Sequence, residues 1–181
     1  MDALVTPSAF TDEKKVLPSG ERSSRGGAEI LQLVTFTLSK EEYAVEILKV
    51  KEINRMTEIT SVPKSPPYLE GVINLRGKVI PVVNLRKKFG LPDKSNDEQS
   101  RIMILDMQGI TTGLMVDAVS EVLRISADTV EATPPMASNI STEFIKGIAK
   151  LANRLIILLD IDKLFGKSGE TELIKATTKN M

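Results

Sequence analysis

Between Glu42 and Ile47 polar and apolar side chains alternate, with Tyr43, Val45 and Ile47 on one face and Glu42, Ala44 and Glu46 on the other. A period of two is the mark of a strand with one buried side. Residues 30–38 precede it as a further apolar strand, and Ser39-Lys40-Glu41 turns the chain between them. Leu48-Lys49 reads as one helical turn, and Val50–Asn54 and Ile59–Val62 as short strands. Pro63, Pro66 and Pro67 keep the next segment out of a helix.

The pattern is sharpest over residues 71–90. Val72, Ile73 and Leu75 form one apolar run, and Val79, Ile80, Val82 and Val83 another, with Arg76-Gly77 between them. A glycine at the second turn position supplies the positive φ that a tight reversal needs. Pro81 lacks a ladder N–H, so its strand is expected at a sheet edge or with that residue in a bulge. A short helical turn ends at Phe89-Gly90.

The stretch occurs twice. Laid over 147–166 without a gap, Gly71, Leu75, Ile80, Lys87, Phe89 and Gly90 meet Gly147, Leu151, Ile156, Lys163, Phe165 and Gly166. Gly77 meets Asn153, the other residue type that tolerates a left-handed turn position. Upstream, Tyr43–Ile53 lies more weakly over Thr112–Val122. A duplicated unit implies two similar subdomains, with Gly71, Gly77 and Gly147 as turn and structural positions. The polar bridge 92–100 separates them, with the first mainly in 40–91, the second mainly in 101–160, and the terminal strands free to cross over. In the second unit Arg101–Met107 and Ile110–Val116 form a hairpin around Gln108-Gly109, and Val119–Ile125 is a strand. Many short strands with regular turn signals predict a mainly β chain of small antiparallel barrels, which leave no open edges.

Composition narrows the chemistry. The 181 residues carry 24 basic and 24 acidic side chains and no histidine, cysteine or tryptophan. Zero net charge removes the general attraction on which nucleic-acid binding rests. Without cysteine there is neither a disulfide nor a thiolate metal site, and no cofactor or metal is expected. Residues 1–28 read as a disordered arm without a signal peptide, and 167–181 as a polar tail with a frayed helix around Glu172–Ala176. The longest apolar run, Leu155–Leu159, is far too short to span a bilayer, so a cytoplasmic protein is expected. A phosphate loop is nearly spelled by Gly71–Lys78, but five residues separate its glycines and Val79 follows the lysine. The carboxylate pairs Asp117 with Glu121 and Asp160 with Asp162 are the remaining acid–base candidates, and the second reads as helix capping. No catalytic residue is assigned.

The repeat separates structural from functional positions. Arg76 has Ala152 as its counterpart, so closing the hairpin does not require it; a guanidinium at a rigid turn suits a carboxylate or a carbonyl. Glu52 is matched by Glu121, which points to a structural role such as accepting a bond from a nearby turn.

Phe36-Thr-Leu, Glu41–Ile53, Gly71–Arg86, Val116–Val122 and Lys146-Gly-Ile148 together resemble the CheW family of bacterial chemotaxis coupling proteins over about residues 30–165. Asn84 departs from it, since an aspartate is frequent there. The resemblance implies two five-stranded SH3-like barrels and no enzymatic activity. It implies an adaptor between the cytoplasmic tips of methyl-accepting chemoreceptors and the regulatory domain of the histidine kinase CheA, in arrays at the membrane but not inserted in it. An adaptor of another kinase pathway, such as surface motility, fits the same residues. Arg76 matches the family's motif arginine. Val50, Val119 and Val122 match apolar positions near the receptor-binding groove between the barrels, and Glu52 lies beside Val50 on one strand face. Strand alternation puts Val119 and Val122 on opposite faces, so one of them is expected in the core.

Overall fold

A computed structural model describes residues 29–133 and 144–164. The arm 1–28, Pro134, Pro135, Phe165 and the tail 167–181 lie outside the described residues. Among the described residues eleven strands follow one another: β1 (Ile30–Leu38), β2 (Glu41–Glu46), β3 (Val50–Arg55), β4 (Leu69–Leu75), β5 (Lys78–Asn84), β6 (Arg101–Met107), β7 (Ile110–Val116), β8 (Ala118–Ser126), β9 (Val130–Glu131), β10 (Ile145–Leu151) and β11 (Arg154–Leu159). A four-residue helix, α1 (Leu85–Lys88), follows β5, and 3-10 turns follow β2, β8 and β11. Ile59–Val62 is not a strand; it contributes one bridge, Thr60 to Val72.

The strands make two sheets, ordered β8-β1-β2-β11-β10-β9 and β3-β6-β7-β5-β4. β8 and β9 lie at opposite edges yet are joined by the single 3-10 turn Ala127–Thr129, so the first sheet curls back on itself. In the second sheet Thr60, five residues beyond β3, bonds across to β4 and closes it in the same way. These are the two small barrels expected, with three differences. The two-residue β9 adds a sixth strand to one. Each contains one parallel pairing, β2 with β11 and β5 with β7. And neither barrel is one half of the chain, so the expected boundary at 92–100 falls inside the second sheet, between β5 and β6.

The last of these differences follows from an exchange of hairpins. In the repeat, β1-β2 corresponds to β6-β7, and β3, β4 and β5 to β8, β10 and β11. The hairpin β1-β2 has left its own copy to pair with β8 and β11, and β6-β7 has gone to β3 and β5. The register is the same in both: Val82 faces Gly113 across one parallel pair, and their repeat counterparts Leu158 and Ala44 face each other across the other. Loop bonds repeat too, since Asn84 N–H donates to Tyr68 O and Asp160 N–H to Phe144 O, each at 2.7 Å.

Pro81 lies neither at an edge nor in a bulge, because β5 sits between β4 and β7. In a hairpin closed by Leu75 and Lys78, alternate pairs exchange bonds, and Val72–Pro81 is one of the pairs that do not. On the other side β7 pairs only from Val82 onward, so the missing N–H removes nothing.

Burial explains why some strands alternate poorly. One core cluster lies in each barrel, around Leu33, Ala44, Ile156 and Leu158 and around Ile80, Val82, Ile102 and Ile104. A larger cluster between the barrels joins Phe36, Leu38 and Tyr43 to Leu85, Leu105 and Leu114. Strands such as β2 are therefore covered on both faces, and Ala44, assigned to the polar face, is fully buried. Tyr43, Phe89 and Phe144 meet in series through the joint, the first pair tilted at 5.5 Å between centroids and the second stacked at 5.2 Å.

Candidate partner-binding site

The β4-β5 turn places Arg76 and Gly77 at φ 52° and 85°, the left-handed pair of a two-residue hairpin turn. Asn74 Oδ1 accepts from Gly77 N–H at 2.9 Å and stiffens the turn. Neither Ala152 nor Asn153 has a positive φ, so the second hairpin turns differently and the Gly77–Asn153 match carries no shared left-handed conformation. With no glycine at 152 or 153, a turn with negative φ avoids the strain that Gly77 removes in the first copy.

From its turn the Arg76 side chain, 71 % exposed, donates to the Glu52 carboxylate on β3. β3 and β4 are opposite edges of the sheet, so this ion pair crosses the seam where the barrel closes. The bond from Arg76, helped by one from Asn54, holds the Glu52 carboxyl below the ordinary glutamate range against slight desolvation. The counterpart Glu121 does accept a bond beside a turn, from Arg154 Nη2 at 2.5 Å. The other barrel thus also ties its repeated hairpin to a glutamate on an edge strand, through an arginine two positions further on.

Val50 lies on β3 two residues from Glu52, half-buried against the core between the barrels. Val119 packs against that same core from β8, whereas Val122 is 54 % exposed. Val119 is therefore the core-facing one of the two. The structure brings Arg76 and Glu52 together on one barrel, but a bulge at Lys51 sets Val50 opposite Leu105 and Glu52 opposite Ile104, so Val50 and Glu52 do not share a strand face as expected. Val119 and Val122 lie on the corresponding edge strand of the other barrel. Gly71 and Gly147 each sit at a bulge where a neighbouring backbone passes close, against Thr60 and Glu131 respectively.

One constellation was not foreseen. Arg86 on α1 donates to Asp117 through Nε (2.8 Å to Oδ1) and Nη2 (2.7 Å to Oδ2), and Ser39 N–H donates to the same Oδ2 at 2.8 Å. Burial alone would raise the Asp117 carboxyl pKa, but the bonds from Arg86 and Ser39 outweigh it and the net shift is downward. Asp117 and Glu121 bond to different arginines and do not form an acid–base dyad. Asp160 makes no side-chain cap, and Asp162 instead accepts from Lys49. Asn84, by contrast, caps α1 by accepting from Lys87 N–H.

A model of the CheW-like domain matches residues 32–168. The chain belongs to the CheW family. It is 36 % identical over 149 residues to the chemotaxis protein CheW of Klebsiella aerogenes, spanning 82 % of this chain and 89 % of that one. It is 38 % identical over 138 residues to CheW of Thermotoga maritima, spanning 74 % and 86 %. The crystal structure of the scaffolding protein TtCheW from Thermoanaerobacter tengcongensis superposes with a TM-score of 0.72 at 40 % identity, covering 78 % of this chain and 96 % of that one. Arg76, Glu52 and the edge strands β3 and β8 all lie inside the matched CheW domain. Among the described residues no helix is long and apolar enough to cross a membrane.

Proposed function

We propose that the protein is a non-enzymatic adaptor of bacterial chemotaxis. It couples the cytoplasmic tips of methyl-accepting chemoreceptors to the regulatory domain of the histidine kinase CheA, in arrays held against the membrane by the receptors. Membership of the CheW family supports this reading, and so does the name of the related scaffolding protein. The observation that carries it is the exposed Arg76 guanidinium, held by Glu52 at a turn that Asn74 stiffens. Such a group offers a planar two-point contact to a partner carboxylate or carbonyl without any chemistry of its own. A receptor state reaches the kinase only through a contact whose free energy differs between signalling states.

The test is capture from lysate with the full chain as bait, followed by titration of the identified kinase domain and receptor. Recovery of CheA and a chemoreceptor supports the reading. Recovery of a surface-motility kinase would reassign the pathway, and recovery of neither would overturn the adaptor role.

A further inference from the structure

Among the described residues two connections cross from one barrel to the other. The 3-10 turn Ile47–Lys49 leads from β2 into β3, and Asp117 alone leads from β7 into β8. Each is fastened by an ion pair to a residue that follows a β-hairpin. Asp117 is held by Arg86, beyond β5, and by Ser39, in the β1-β2 turn. At the other crossing Lys49 Nζ donates to Asp162 Oδ2 at 2.7 Å, and Gln108 Nε2 donates to the Asp162 carbonyl at 3.0 Å. Arg86 and Asp162 are equivalent positions in the repeat. So are Ser39 and Gln108, each with positive φ, 59° and 53°, at the start of its hairpin turn. The ion pair is therefore repeated with its charges reversed: a cation beyond the hairpin grips an anion at one crossing, and an anion grips a cation at the other, while Ser39 braces the crossing residue and Gln108 braces the anchor. Different residues doing one job at matching places mark a requirement of the crossing itself.

That requirement lies in what each crossing delivers. Lys49 is followed directly by Val50 and then Glu52, and Asp117 by Ala118 and Val119. β3 and β8 are edge strands, bonded along one side only, so the ladder alone holds their first residues weakly. The two fastenings differ in burial. Arg86 and Asp117 are 11 % and 16 % exposed, Lys49 and Asp162 38 % and 33 %. Asp162 Oδ1 is buried without a hydrogen-bond partner, which leaves the Lys49 ammonium as the group that compensates this carboxylate.

We propose that Lys49 and Asp162 are positioning residues of the partner-binding site, their ion pair fixing the start of β3 and with it the placement of Val50, Glu52 and Arg76. A pair left about one-third exposed adds modestly to global stability and is partly screened by salt. Its loss loosens the strand start without unfolding the barrel. The buried Arg86–Asp117 pair fastens β8 as part of the fold. The inference rests on the adaptor reading only for the identity of the partners.

The test uses the full chain carrying Lys49→Glu, Asp162→Lys, or both together. Amide hydrogen exchange is followed over residues 47–54 with 101–107 as reference, alongside the urea midpoint and affinity for the CheA regulatory domain and a receptor tip. Each single change should speed exchange over 47–54 far more than over 101–107 and weaken binding about two- to fivefold, with only a small drop in the midpoint. The double change, which restores the pair with its ends exchanged, should recover protection and affinity. Single variants that exchange and bind like the parent overturn the proposal, as does a double variant that recovers neither. If the parent binds neither partner, the adaptor reading fails. Exchange then decides the clasp alone: protection lost in the singles and regained in the double upholds it, and unchanged protection overturns it.

Discussion

Gly71 and Thr60 touch through their backbones: a Cβ on Gly71 would sit 2.1 Å from the Thr60 carbonyl oxygen. Gly147 stands in the same relation to Glu131, whose carbonyl oxygen lies 2.6 Å from the site of a Cβ. In both copies the contact is where the last strand segment bonds across to close the barrel, Thr60 on Val72 and Glu131 beside Ile148. Gly71→Ala and Gly147→Ala should each cost at least about 2 kcal/mol in urea unfolding, because backbone rather than a pliable side chain must move. Gly77 faces open space, so Gly77→Val should cost only its backbone strain at φ 85°, about 1–3 kcal/mol.

Val119 and Val122 should part company on substitution. Val119→Ala removes half-buried surface from the core between the barrels and should lower stability by about 1 kcal/mol. Val122→Ala should leave the unfolding midpoint within error and weaken partner binding instead. A matched loss of stability in both would place Val122 in the core, against its exposure.

Arg86→Ala strands a largely buried Asp117 carboxylate and should cost about 3 kcal/mol. Asp117 also sets a pH dependence. Its folded pKa lies below the ordinary aspartate range. Its contribution is therefore complete above that range and is lost as pH falls through the depressed folded value. Acid titration of stability should show a steeper acid limb in the parent than in Asp117→Asn. Limbs of equal slope would remove Asp117 from the acid response.

Local pattern was enough to read the hairpins. Arg101–Met107 and Ile110–Val116 are strands with the bounds read around the Gln108-Gly109 turn, and Arg76-Gly77 turns as a positive-φ position requires. Partner choice between hairpins was not legible. β1-β2 and β6-β7 carry the same pattern, so nothing local records that they have exchanged places. Burial on both faces, as at Ala44, follows from that exchange and was hidden with it. Arg76 and Glu52 stood out because the repeat and the family blocks both single them out. The Arg86–Asp117 clasp joins residues far apart in the chain with no shared motif. Its one trace in the sequence is that the equivalent position, Asp162, carries the opposite charge.

The most direct test of the adaptor mechanism is receptor-stimulated phosphorylation by CheA in a reconstituted mixture containing the full chain or its Arg76→Ala, Arg76→Lys, Glu52→Ala and double Ala forms. Arg76→Ala should stay folded and lower the stimulated rate about tenfold or more, since a two-point guanidinium contact at the partner surface is lost. Arg76→Lys should recover little of it, and the effects of Arg76→Ala and Glu52→Ala should fall well short of additive. Full stimulation of the kinase by the Arg76→Ala protein would contradict the site, and additive losses would contradict its action through Glu52.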